Sequence, residues 1–117
     1  MLAIDHVQIA MPVGGEDKAR AFFGALLGLP EIPKPADQAQ RGGCWFAVDQ
    51  LQLHLGVEAD FRAARKAHVA LRTSALTALR DRLTAAGYAT HDDTPVAGRA
   101  RFFTADPFGN RIEFIEA

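Results

Sequence analysis

The sequence predicts an α+β fold built from two successive strand–helix–three-strand modules, and three observations lead there. Two histidine-bearing strand openings, Ile4-Asp5-His6-Val7-Gln8-Ile9 and Lys66-Ala67-His68-Val69-Ala70-Leu71, match at an offset of 62. Each is followed by a helix-like stretch that stops at a glycine, Gly28 and Gly87, at an offset of 59. Each half then closes with aromatic strands running into an aspartate, Trp45-Phe46-Ala47-Val48-Asp49 and Phe102-Phe103-Thr104-Ala105-Asp106, and a short apolar strand with one polar residue at its centre, Leu53-His54-Leu55 and Ile112-Glu113-Phe114. An internal repeat constrains architecture more strongly than any single residue does.

In chain order, residues 3 to 11 alternate as a strand, which Pro12-Val13-Gly14-Gly15 breaks. Helical spacing of Ala19, Phe22, Phe23, Leu26 and Leu27 predicts a helix from Glu16 to Leu27, with Glu16 and Asp17 at the end where the helix dipole favours negative charge. Gly28 supplies the stop. Residues 30 to 43 contain three prolines and end in Arg41-Gly42-Gly43, a loop with at most a short strand near Glu31-Ile32. Strands at about Cys44 to Val48 and Leu51 to Gly56 follow, turning at Asp49-Gln50.

Module 1 thus covers about residues 1–57 and module 2 about 67–117 of one domain spanning 1–117. The charged, helix-compatible stretch 58–66 reads as the linker. Module 2 repeats the order, with a strand at about 67–72 and a helix at about 74–86 for which Ser74 is a candidate cap. Three strands follow, at about 89–91, 100–105 and 111–116. Asp92-Asp93-Thr94-Pro95 and Asp106-Pro107-Phe108-Gly109-Asn110 have turn composition.

A chain of 117 residues, 49% hydrophobic, is long enough to bury a core in one domain. Net charge is −1 and there is no long basic run, so nothing points to nucleic acid. No apolar stretch approaches membrane-spanning length, and Asp5 and His6 interrupt the opening hydrophobic run, which speaks against a signal peptide. The expectation is a soluble cytoplasmic protein without membrane partners. The single cysteine, Cys44, has no internal disulfide partner, in keeping with a reducing compartment.

Strand alternation places the chemistry. Leu51, Leu53 and Leu55 share one face while Gln52 and His54 share the other, and the same parity sets His6 with Gln8 and His68 with Ala70. Each ligand-type residue therefore lies on the less apolar face, the concave side of a curved sheet. Glu113, flanked by Ile112 and Phe114, is costly to bury unless paired or bound to a cation. A lone histidine is ordinarily structural. What singles these out is that His6, His54 and His68 fall at repeat-matched strand positions and the fourth such position is a carboxylate, Glu113, whereas His91 has no repeat partner. Three imidazoles and one carboxylate suit one divalent ion among Zn, Ni, Co, Mn and Fe(II).

The doubled order, the His-Val-x-Ile and His-Val-x-Leu openings and the closing Asp106-Pro107-Phe108-Gly109-Asn110-Arg111-Ile112-Glu113-Phe114 resemble the vicinal oxygen chelate superfamily over essentially the whole chain. That superfamily includes glyoxalase I, methylmalonyl-CoA epimerase, extradiol dioxygenases, fosfomycin resistance enzymes and bleomycin-binding proteins. The resemblance implies a cup-shaped mixed sheet closed by two βαβββ modules, within one chain or across a homodimer. It also implies a metal held by His6, His54, His68 and Glu113. Glyoxalase I typically carries a glutamate at the place of His54, a departure that weighs against lactoylglutathione lyase chemistry. The bleomycin-binding members usually lack the ligand set altogether.

The expected function is lyase, isomerase or epimerase chemistry on a small oxygen-chelating substrate, with Glu113 and His54 as catalytic groups. The alternatives are a resistance-type protein that binds or modifies a small molecule, and an Fe(II) dioxygenase using His6, His68 and Glu113 as a facial triad. Arg41, Arg62, Arg65, Lys66, Arg99 and Arg101 are available cations, of which Arg41 and Arg101 are taken as substrate-binding. Trp45 and Phe102, equivalent at an offset of 57, are taken as pocket-lining aromatics, with Phe46 and Phe103 as the alternative pair.

Overall fold

A computed structural model describes all residues, Met1–Ala117. The chain divides into two compact units, Met1–Ala63 and Ala64–Ala117, each holding one four-stranded mixed sheet. The division falls inside the 58–66 stretch, which is turn and irregular chain and forms no helix.

In the first unit, β1 (His6–Met11) leads through a turn closed by the Gly15 N–H on Pro12 O into α1, which is α-helical over Glu16–Ala19 and π-helical over Arg20–Leu26. The wider π turn suits the sequence. Phe22 and Phe23 are adjacent, yet both are buried, and fewer degrees per residue bring successive side chains nearer to one face. Gly28, at φ 77, ends the helix in the left-handed conformation that glycine adopts without strain. Then come β2 (Glu31–Ile32), a short α2 (Ala36–Ala39) that composition did not reveal, β3 (Cys44–Val48) and β4 (Leu51–Val57). The strand order is β1-β4-β3-β2, with β1 parallel to β4 and the other pairs antiparallel.

Register divides the side chains between the two faces. Met11, Cys44, Phe46, Leu53 and Leu55 are buried on one, together with Ala19, Phe22 and Phe23 of α1. Phe23 stands 5.8 Å from Phe46, centroid to centroid. The opposite face carries His6, Gln8, Trp45, Gln52 and His54. Gly43, at φ 83, opens β3 where a Cβ would lie 2.2 Å from Leu55 O, so only glycine fits there. Its N–H is held by Glu16 Oε2 at 2.7 Å, which ties β3 to the start of α1.

In the second unit, β5 (Val69–Thr73), α3 (Leu76–Ala85), β6 (His91–Asp92), β7 (Arg101–Ala105) and β8 (Arg111–Glu116) give the order β5-β8-β7-β6, with the parallel pair again first and last. Ser74 does not cap α3. Ala75 occupies the cap position without a side-chain bond, and Thr73 Oγ1 instead accepts the Ala75 N–H at 3.0 Å. The core joins Leu79 and Leu83 of α3 to Phe102, Ile112 and Phe114. The 106–110 turn is a closed hydrogen-bonded unit. Asp106 Oδ1 accepts the Phe108 and Asn110 N–H groups, Asp106 Oδ2 accepts Asn110 Nδ2, and Asn110 Oδ1 accepts the Ala64 N–H. Its acidic and amide side chains are therefore spent on the fold. No helix is long and apolar enough to cross a membrane.

Candidate metal and substrate site

Each unit assembles a pair of the expected ligands on the sheet face away from its helix. In the first, β1 and β4 run parallel with His6 opposite Gln52 and Gln8 opposite His54. The His6 and His54 rings stack at 4.3 Å, and Trp45, opposite His54 on β3, stacks on its other side at 3.9 Å and 2°. His6 Nδ1 lies 2.9 Å from Asp5 Oδ2, so the carboxylate takes an Nδ1 proton and Nε2 is left as the ligating nitrogen. His54 is different. Its Nε2 donates to Gln52 Oε1 at 2.9 Å, and burial, followed by the proximity of the His6 ring, holds its pKa below the ordinary 6.5.

In the second unit, Glu113 sits in mid-β8 opposite Ala70 of β5 and Phe103 of β7. It is 6% exposed, a degree of burial at which an unpaired carboxylate is expensive, and it is paired. His68 Nε2 stands 2.9 Å from Oε1, and Arg101 Nη1 stands 3.5 Å from the same oxygen. Both contacts fall on Oε1, which leaves Oε2 as the atom open to a ligand or a proton. His68 Nδ1 donates to Lys66 O at 2.9 Å, reproducing the arrangement at His6 with a backbone carbonyl in place of a carboxylate.

By the chemistry of their donor atoms the paired residues of each unit suit a divalent cation, His6 with His54 in the first and His68 with Glu113 in the second. His6 and His68 each have Nδ1 fixed by an acceptor, which leaves Nε2 as the donor atom, free of Asp5 in His6 and set against the buried Glu113 carboxylate in His68. His54, with Nε2 engaged by Gln52, has Nδ1 as its remaining donor atom. Neither unit by itself gathers three or more metal-ligating side chains into a cluster.

The other expected site residues divide. Arg101 lies beside Glu113 and also donates Nε–H to Thr94 O at 2.8 Å, so it joins the 93–94 segment to the sheet face. Trp45 is on the face with His6 and His54. Phe102 is a correction: it pairs with Phe114, is 0% exposed, and faces the core, with its ring 5.3 Å from that of Phe114. The true repeat equivalent of Trp45 is Phe103, because each stands opposite the central polar residue of the closing strand, His54 and Glu113 respectively. The offset there is 58, one more than the matching aspartates suggest, and a one-residue slip exchanges the faces of a strand. Arg41 is exposed in the loop before β3 and makes no side-chain hydrogen bond or ion pair with His6, His54 or Trp45. His91 is exposed, opposite Phe103 on β6. Arg111 is the residue that sequence reasoning passed over. Its parity with Glu113, two residues along β8, was the available signal, and its guanidinium lies 3.7 Å over the Phe103 ring.

The model of the Glyoxalase/Bleomycin resistance protein/Dioxygenase superfamily matches residues 3–114. The fold is similar to the crystal structure of a glyoxalase family protein from Bacillus anthracis, with 45% identity, a TM-score of 0.94, and coverage of 99% of this chain and 95% of that one. At lower identity it is similar in fold to a lactoylglutathione lyase of Agrobacterium tumefaciens (22% identity, TM-score 0.72, 98% and 93% covered). It is likewise similar to a genomically encoded fosfomycin resistance protein of Listeria monocytogenes (14% identity, TM-score 0.80, 100% and 94% covered). No curated protein matches the sequence significantly. The matched residues, the doubled βαβββ order and the ligand-type residues at equivalent strand positions agree: this chain belongs to the glyoxalase/bleomycin resistance protein/dioxygenase superfamily.

Proposed function

We propose that the protein is a metal-dependent enzyme that moves a proton at a carbon next to a carbonyl in a small substrate with two adjacent oxygens. The observation that carries this reading is the matched treatment of His6 and His68. At equivalent places in the two units, each has Nδ1 locked by an acceptor, Asp5 Oδ2 or Lys66 O, and the second has a buried carboxylate against its Nε2. A structural histidine has no need of that orientation twice.

His6, His54, His68 and Glu113 are the residues that would hold one divalent ion, which when bound supplies Lewis-acid stabilisation of negative charge on a chelating oxygen. The chain's own groups do the rest. Glu113 Oε2 accepts the proton from carbon and returns it, while the Arg101 guanidinium, 3.5 Å from Oε1, keeps the carboxylate from turning away. Gln52 fixes the ring plane of His54. Phe103, opposite Glu113 on β7, supplies apolar surface beside the carboxylate.

Deuterium exchange from heavy water, followed by NMR over a panel of 2-oxo and 2-hydroxy compounds with metal-loaded protein, tests the reading. Glu113→Gln is expected to abolish exchange more completely than it lowers metal content, because an amide oxygen still ligates but takes no proton. His54→Gln is expected to be milder. Tight binding of an unaltered compound with no exchange anywhere in the panel would sink the enzyme reading in favour of a binding or resistance protein.

A second reading, an Fe(II) dioxygenase, is favoured by one observation. His54 is already engaged by Gln52 and stacked between His6 and Trp45, which leaves His6, His68 and Glu113 as a two-histidine, one-carboxylate set. Oxygen uptake by Fe(II)-loaded protein with a catechol separates it from the first. The same reading takes the protein as a homodimer, since β1 and β2, and β5 and β6, are edge strands of their own sheets. A strict monomer by light scattering at tens of micromolar would count against that.

A further inference from the structure

We propose that the sheet face of the second unit holds an oxyanion site centred on Arg111, and hence that the substrate carries a carboxylate or phosphate group in addition to its chelating oxygens. The extension to substrate rests on the enzymatic reading above, whereas the anion site stands on Arg111 itself.

Five cationic or cation-forming side chains share this face by register, one of them the exposed His91 on β6 opposite Phe103. His68 precedes β5, Arg72 lies on β5 opposite Ile115, Arg101 lies on β7 opposite Ile115, and Arg111 begins β8 opposite Ala105. Two of them are already matched. His68 contacts Glu113, and Arg101 contacts Glu113 at 3.5 Å, Asp93 at 3.6 Å and Thr94 O at 2.8 Å. Arg111 is not matched. Its guanidinium makes no ion pair or side-chain hydrogen bond, and its one polar-type contact is with the face of Phe103 at 3.7 Å. Arg72 is exposed and likewise without an ion pair.

The stacking is what turns a surface arginine into a candidate site. Phe103 is 5% exposed, buttressed by the edge of His68 at 5.2 Å and by Arg101 at 5.3 Å, so it is a fixed platform. A guanidinium lying on such a ring loses little further freedom on binding, and its N–H groups remain at the edge of the plane, where a carboxylate or phosphate is met by two parallel bonds. Arg111 is two residues from Glu113 on the same strand and the same face, within reach of the far end of a small molecule whose reacting carbon lies at Glu113 Oε2. The corresponding face of the first unit has no arginine among His6, Gln8, Trp45, Gln52 and His54, and its cation is a lysine, Lys34, with Nζ 6.0 Å from the Trp45 ring, so the unmatched guanidinium belongs to one half of the repeat.

Calorimetric titration tests this with inorganic phosphate on metal-free protein, and with 3-phosphoglycerate against glycerate on metal-loaded protein. The last two share a chelating 2-hydroxy acid and differ in the phosphate. Wild type is expected to bind phosphate saturably and to prefer 3-phosphoglycerate to glycerate by about tenfold or more. Arg111→Gln is expected to remove both effects while leaving metal content and glycerate affinity unchanged. Arg111→Lys should keep part of the preference, and Arg62→Gln, an exposed arginine elsewhere, all of it. Equal phosphate binding by wild type and Arg111→Gln, or no preference for 3-phosphoglycerate in a metal-loaded wild type that binds glycerate, overturns the proposal. If phosphate binding depends on Arg111 while glycerate binds neither protein, the anion site stands and the chelate reading fails.

Discussion

His68 and Glu113, 45 residues apart in the chain, meet with Nε2 2.9 Å from Oε1. If both serve one cation, His68→Ala and Glu113→Ala lose most of a stoichiometric divalent metal, while His91→Ala, which alters an exposed residue, keeps it. Elemental analysis of purified protein reads the difference directly. Asp5→Ala should weaken metal affinity by roughly 10- to 100-fold without removing a ligand, because Asp5 only orients His6.

Glu16→Gln should destabilise the protein in a pH-dependent way. The Gly43 N–H is the chief cause holding the Glu16 carboxyl below its usual 4.5, so the folded chain binds fewer protons at this group than the unfolded chain does. Stability from Glu16 is therefore complete above the unfolded value and is lost as pH falls through the folded one. Urea denaturation at pH 7 is expected to show a loss of about 1 kcal/mol in the variant, and the gap between variant and wild type should close towards pH 3. A gap that stays constant across that range would refute the assignment.

Gly43→Ala should cost more, about 3 kcal/mol or above, because the added Cβ would overlap a backbone oxygen, Leu55 O, that no rotamer change can move. The damage falls at the Cys44–Leu55 pair that begins the β3–β4 ladder. Gly28→Ala has open space around it and bears only the conformational penalty, about 1 kcal/mol. Thermal melts that rank the two in the reverse order would count against this account.

Cys44 should be inert in the native protein. It is 1% exposed, and burial pushes its thiol pKa up to about 11, so thiolate is scarce at pH 8. A thiol reagent such as DTNB is expected to react within minutes in denaturant and over hours, or not at all, in buffer. Fast native labelling would show that β3 opens readily.

The doubled order was legible because alternation within β4 and β8 and the glycine stops are local signals, and His6, His54, His68 and Glu113 all fall on the predicted faces. The π-helical turn was invisible. Adjacent Phe22 and Phe23 fit a helix of either kind, and only the i→i+5 hydrogen bonds, such as Leu27 N–H on Phe22 O at 2.9 Å, distinguish them. Phe102 was misassigned because the aspartates ending the two aromatic strands align at an offset one residue different from the strands' pairing register. Aligning on ladder partners needs the pairing, which a single sequence does not contain. Arg111 was overlooked for a related reason, since it stood inside a motif whose aspartate and asparagine build a turn and drew attention to that turn.

In both units the first strand is parallel to the last, with His6 opposite Gln52 and Val69 opposite Ile112. A parallel partner cannot be reached by a tight turn, so β1 and β5 stay unpaired until almost the whole of their module has been made and looped back. During synthesis His6 therefore acquires its position only after β4 leaves the ribosome, and the second unit repeats the wait. Folding speed is then governed by closing two medium-length loops in succession and not by one pairing of the two ends of the chain, which limits the entropy lost at each step. The strands that position His6 and His68 are the last to be secured, and amide exchange should find them first to open.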